Sequence, residues 1–161
     1  MPNWCNNYAV LSHTDSAQID RVEAAATAGQ LMNEFFPCPE VLLKSPPPSA
    51  DMVPAWKEWR MNQWGVSWDI AREDITICRE SPSTIALDFV SAWAAPLAFY
   101  AALETLGFEV VAYYFEPNMA FCGRFEQSQN TRFDIKEDPG WLQANIRSDI
   151  CLLYTSPSPR D

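Results

Sequence analysis

The chain has 161 residues, 48% of them hydrophobic and 13% aromatic, and a formal net charge of −10. It is too apolar for a disordered chain, and with eleven Lys plus Arg it is a poor candidate for gripping nucleic acid, because neutralising phosphates dominates such affinity. No apolar run approaches the roughly 18 residues of a membrane span, and the N-terminus lacks a basic start followed by an apolar stretch, so a soluble protein, cytoplasmic in whatever cell expresses it, is expected.

Along the chain, Trp4 to Ser12 mixes Tyr8, Val10 and Leu11 with small polar residues and reads as a first strand. Asp15 and Gln18 are spaced as in a capping box, and Ile19, Val22 and Ala26 recur at helical spacing. Gly29 stands where a left-handed helix cap belongs. Residues 37–54 hold six prolines, including Pro46-Pro47-Pro48, and predict an extended loop. A short helix is expected from Asp51 to Asn62, with Trp56 and Trp59 on one face; Gly65 then allows a turn between Trp64 and Trp68.

From Ile75 the pattern changes to period two. Ile75 and Ile77 lead into a turn at Ser81-Pro82-Ser83, and Ile85, Leu87 and Phe89 alternate with Ala86, Asp88 and Val90, which predicts a hairpin over a core. Pro96 can open the next helix, with Phe99, Ala102, Leu103 and Leu106 as its apolar face and Gly107 closing it. Phe108 to Phe115 reads as a strand, Pro117-Asn118 as a turn with Asn at positive φ, and Ala120 to Phe125 as the returning strand. Beyond Thr131 the pattern gives only a turn at Asp138-Pro139-Gly140 and a short helix from Trp141. The order predicts an α+β, ferredoxin-like sandwich: a mainly antiparallel sheet, two helices on one face and a long Pro/Trp-rich insertion.

Residues 1–150 are expected to form one domain. The last eleven residues, Cys151 to Asp161, are those encoded by a transposase adapter used in sequencing-library preparation, so 151–161 are read as not native and the natural C-terminus as cut near Ile150.

Five patches carry a family resemblance: Met1-Pro2-Asn3-Trp4-Cys5-Asn6-Asn7, Phe36-Pro37-Cys38-Pro39-Glu40, Trp64-Gly65-Val66-Ser67-Trp68-Asp69, Ala92-Trp93 with Pro96, and Tyr114-Phe115-Glu116-Pro117 with Phe121 and Gly123. In this order the chain resembles the YubB-type, Api-like ferredoxin-like proteins of phages and plasmids. It departs from them at Asn118, where Gly is usual, and at Ala94-Ala95, where Ser-Pro is. The resemblance implies a mobile-element origin and a ferredoxin-like fold, and it brings no catalytic residues.

Seven tryptophans are spread through the sequence, and indoles anchor both cores and recognition surfaces. Trp4, Trp64, Trp68, Asp69, Trp93, Glu116 and Phe121 are the candidate partner-binding residues. Indole walls with a carboxylate floor suit a cationic or planar ligand; the competing reading is that the rings fill the space between insertion and sheet. The expected role is that of a non-enzymatic binding or modulator protein acting on a host or phage macromolecule.

Two alternatives stand beside it. Asp69 and Glu116 could be the acid and base of an enzyme on a small or nucleotide-like substrate. The acidity could instead mimic DNA and occupy a basic partner. Cys5, Cys38, Cys78 and Cys122 have no paired spacing, so no metal or other cofactor is expected. A Cys5–His13 dyad fails because eight strand steps of ~3.3 Å separate the two by about 26 Å.

Overall fold

The computed structural model describes residues 1–135; the adapter-like stretch, the turn at Asp138-Pro139-Gly140 and the helix expected from Trp141 lie outside them. The strands are β1 (Trp4–Ser12), β2 (Ile75–Ser81), β3 (Thr84–Ala92), β4 (Glu109–Glu116), β5 (Phe121–Glu126) and β6 (Gln129–Asp134). They form one sheet in the order β2-β3-β1-β4-β5-β6, antiparallel at every junction. The first four strands thus take the predicted ferredoxin-like arrangement, and β5 and β6 extend its edge.

Side chains alternate across a strand, so register decides which residues share a face. On β1 the buried positions are Cys5, Asn7, Ala9 and Leu11. Across the ladder Asn7 faces Phe89 and Tyr114, Ala9 faces Leu87 and Ala112, and Leu11 faces Ile85 and Val110. These rows meet the helices α1 (Ser16–Thr27), α2 (Leu31–Phe35) and α5 (Leu97–Thr105) in one core through Ile19, Val22, Leu31, Phe35, Phe99 and Leu103. The opposite face carries Tyr8, Val10, Tyr113 and Arg124, all half-buried.

α1 is capped by Asp15, whose side chain accepts from Ala17 N at 3.0 Å, but the expected capping box with Gln18 does not form, because Asp15 N donates to His13 Nδ1 at 2.9 Å. It ends at Gly29 in a Schellman pair, Gln30 N to Ala25 O at 2.9 Å and Gly29 N to Ala26 O at 3.1 Å. On α5 the buried residues are Phe99, Tyr100 and Leu103, whereas Leu106, expected in the apolar face, is exposed.

The insertion departs from an extended loop. α3 (Glu40–Lys44) follows Pro39 and α4 (Ala55–Gln63) follows Pro54. Both prolines stand at the N-cap, with extended ψ of 130° and 141°; α4 is the short helix expected from Asp51 to Asn62, beginning four residues later, whereas α3 was not expected in the Pro-rich loop. A Lys44–Glu40 ion pair at 2.5 Å spans α3.

The β4–β5 turn also differs in detail. Its left-handed residue is Ala120, at φ 54°, and not Asn118. The Glu116 carboxylate explains the change: Oε1 accepts from Asn118 N at 2.9 Å and Oε2 from Met119 N at 2.5 Å. With the first half of the turn bound to the carboxylate, the positive φ falls later.

Candidate functional site

The sequence patches meet at the end of the sheet where β1 begins and β3 ends. Trp93 N donates to Asn3 O at 2.7 Å, tying the first patch to the Ala92-Trp93 turn. Beneath it runs a buried polar chain. Asn7 Nδ2 donates to Ser91 Oγ at 2.8 Å and to Cys5 O at 2.9 Å, and Ser91 Oγ donates to Ala94 O at 2.6 Å. Tyr100 Oη reaches Asn7 Oδ1 at 3.4 Å, and burial pushes that phenol well above its ordinary range. Cys5, Ala95, Tyr114 and Phe121 pack together below, which joins a third patch to the other two.

The Trp64–Asp69 patch docks from the insertion. Trp64 is fully buried; its Nε1 donates to Phe36 O at 2.9 Å and its carbonyl accepts from Phe99 N at 3.1 Å. Gly65 follows at φ 86°, where an added Cβ would stand 3.2 Å from the backbone nitrogens of Leu97 and Ala98. Only glycine fits both that conformation and that approach to α5. The turn sends the chain back outward, and four residues after the buried Trp64 the indole of Trp68 is 46% exposed.

Trp4, Trp68 and Asp69 line one hollow of about 200 Å³, together with Asp74, Val90 and Ala92. Trp93, 55% exposed, follows the lining residue Ala92 in the chain and does not itself line the hollow. The remaining three candidates lie elsewhere. Trp64 belongs to the main core, Phe121 is buried against Tyr114 with ring centroids 6.1 Å apart, and Glu116 is 0% exposed at the β4–β5 turn.

Asp69 does two things at once. Its carboxylate accepts from Met32 N at 3.0 Å, Asn33 N at 2.8 Å and Ile70 N at 2.8 Å, and so caps α2 from 37 residues away. Burial pushes its carboxyl above the usual carboxylate range, against the pull of those three N–H groups and of Arg60. Removing the cap with Asp69→Ala should cost about 1–2 kcal/mol.

The pH dependence has a definite sign. A folded-state value above the unfolded one means that the fold holds the proton more tightly, so stability falls as pH rises between the two. Urea titrations in acid should show wild type losing ground to Asp69→Asn as pH rises through that window. A pH-independent difference would contradict the assignment.

The sequence pair Asp69 and Glu116 is not brought to one hollow among the described residues; each carboxylate is engaged by backbone N–H groups of a different segment. Cys5 and His13 stand at opposite ends of β1. The Cys5 thiol is pushed far up by burial and, secondarily, by Glu116. His13 Nδ1 accepts from Asp15 N at 2.9 Å and its Nε2 meets Leu106 O at 3.1 Å. No group of three or more His, Cys, Asp or Glu among the described residues is placed to hold a metal ion, and no described helix is long and apolar enough to cross a membrane.

Asn7, Ser91 and Asp74 belong to this region and were not among the candidate site residues, although Asn7 lies in the first of the five patches. For Asn7 a signal existed: it is an amide at an inward position of an otherwise apolar alternation on β1. Ser91 and Asp74 carry none.

No family model and no curated protein matches the chain. Among solved structures it is similar to the crystal structure of a protein Api92 from Yersinia pseudotuberculosis, described under the family model DUF1281. The two share 11% identity at a TM-score of 0.49, over 86% of this chain and 100% of that one. The likeness is one of fold. It is a distant likeness to the Api-like proteins that the five patches resemble, and nothing about activity comes with it.

Proposed function

We propose that the chain is a small non-enzymatic binding or modulator protein of phage or plasmid type, engaging a host or phage macromolecule through the tryptophan-bearing end of its sheet. One observation carries this reading: Trp93 holds a left-handed backbone, φ 71°, while its indole stays 55% exposed. A bulky residue in that region costs about 1–3 kcal/mol and persists only where its surroundings over-determine it. Here the Asn7–Ser91–Ala94 chain and the Trp93–Asn3 bond do so. A ring facing outward gains little core energy to offset that cost, so the strain serves presentation rather than packing. Trp68, exposed on the wall of the neighbouring hollow, supplies a second anchor of the same kind.

The test separates presentation from packing within one residue. Trp93→Gly relieves the left-handed strain, so it should hold or raise the unfolding midpoint. Combined with Trp68→Ala, it should remove whichever lysate protein the tagged wild type captures. Capture that persists in the folded double variant would rule this surface out as the contact.

A further inference from the structure

We infer that residues 136–150 fold back over the outer face of the sheet and set Trp141, Leu142, Ile146 and Ile150 against Tyr113, Phe115, Cys122 and Phe133. An antiparallel sheet with one face in water alternates buried and solvated positions along each strand. At the paired ends of β4 and β5 that alternation stops: Tyr114, Phe115 and Glu116 are buried in a row, and so are Phe121, Cys122 and Gly123.

The register places Phe115 between Asn6 and Cys122, and Cys122 beside Phe133, on the side away from the main core. Cross-strand neighbours flank a ring but do not roof it, yet Phe115 is 8% exposed and Cys122 1%. The carboxamide oxygen of Asn6 is also shut off from solvent, and it accepts no hydrogen bond among the described residues. Phe115 and Cys122 form a cluster with Tyr113, Phe133 and Ile135, to which no described helix contributes a residue. The cover must come from beyond the described residues.

Ile135, where the described chain stops, already belongs to that cluster, and its N–H donates to Ala120 O at 2.6 Å. The chain therefore leaves from the outer face, beside the β4–β5 turn. Asp138-Pro139-Gly140 supplies residues suited to a reversal. From Ile135 to Trp141 the chain can span at most about 20 Å, and neighbouring strands lie about 4.8 Å apart, so Trp141 can reach above β4 and β1.

Leu142, Ile146 and Ile150 then recur at every fourth residue, with Trp141 beside the first of them, the spacing of a helical apolar stripe. Burying that stripe on the aromatic face removes both from water. A second copy could offer the same stripe, but a short tether holds its own segment at an effective concentration on the order of millimolar, which favours the same chain.

Native-state alkylation of the full chain with iodoacetamide, mapped by peptide mass, tests the cover. Cys78, exposed on the outer face of the edge strand β2, reports open solvent, and Cys5, 0% exposed on the inner face, reports global unfolding. In wild type Cys122 should react as slowly as Cys5. Leu142→Glu combined with Ile146→Glu should raise the Cys122 rate at least about tenfold and leave Cys5 unchanged, as a local opening does. In a second measurement, p-benzoylphenylalanine in place of Tyr113 should cross-link under light to residues 141–150 of its own chain.

A Cys122 rate that the two added charges leave unchanged, or that already matches Cys78 in wild type, would overturn the inference. Should the double variant open Cys5 as well, the cross-link decides: an adduct within residues 141–150 of the same chain supports the cover. Adducts confined to other segments or to a second copy, or no adduct at all, would overturn it.

Discussion

Trp64→Ala is expected to destabilise the protein by about 3–5 kcal/mol, the usual range for truncating a fully buried large aromatic. Three things are lost together. The ring leaves a void in the main core, where Trp59 packs edge-on at 6.0 Å and 80°. The Phe36 carbonyl loses its donor at 2.9 Å. The Arg60 guanidinium loses one of its two aromatic platforms. Trp68→Ala, four residues on, should stay within about 0.5 kcal/mol of wild type, as surface substitutions do. Urea unfolding of the two variants side by side is the measurement. Similar losses in both would mean that Trp68 is also core, and the proposed surface would lose an anchor. Because natural domains hold only about 5–15 kcal/mol in total, Trp64→Ala should also lower the yield of folded protein.

Gly123→Ala should be at least as damaging, at about 3 kcal/mol or more, which lies at the upper end for overpacking. Gly123 sits on β5 between β4 and β6, and the ring of Tyr114 crosses directly over it. An added Cβ would lie 2.2 Å from Tyr114 Oη, 2.3 Å from its Cζ and 2.6 Å from Thr131 O. The ring cannot swing away freely, since its hydroxyl donates to Asn130 Oδ1 at 2.5 Å and it packs with Cys5 and Phe121. A thermal-unfolding cycle with Tyr114→Ala checks the cause. The double variant should lose less than the sum of the singles, because the ring clash vanishes while the Thr131 contact remains. Strict additivity would place the damage in the β6 backbone alone.

Tyr114 and Gly123 both stood in a patch that the sequence singled out, yet their fit was invisible there. It depends on which residues face each other across β4 and β5. What could be read locally was read well: β1 runs over the expected residues, Asp15 and Gly29 bracket α1, and Pro82-Ser83 joins β2 to β3.

What was missed had no local signature. β6 follows a two-residue turn in which Gln127 and Ser128 both have positive φ, 50° and 58°. Turns of that kind usually announce themselves with Asn or Gly. α2 has five residues and draws its cap from Asp69, which no window of neighbouring residues contains. Asp69 and Glu116 looked reactive because carboxylates near aromatic residues often are, but both were needed to satisfy backbone N–H groups. Trp64 and Trp68 come from one patch and meet opposite fates because the turn at Gly65 lies between them. Loop residues have no periodicity from which burial could be inferred.

The Asn7–Ser91–Ala94 chain has a consequence for how the sheet assembles. Alternation in a strand has period two, so sliding β1 by one residue along β3 would turn Asn7 to the outer face. The Ser91 hydroxyl would then sit among apolar groups without its amide partner, a desolvation penalty of about 1–3 kcal/mol. The same slip would turn Ala9 and Leu11 out of the core, so the apolar alternation and the amide specify one alignment together. The amide thus reinforces the register of β1 against β3, and through it the placement of the turn that carries Trp93.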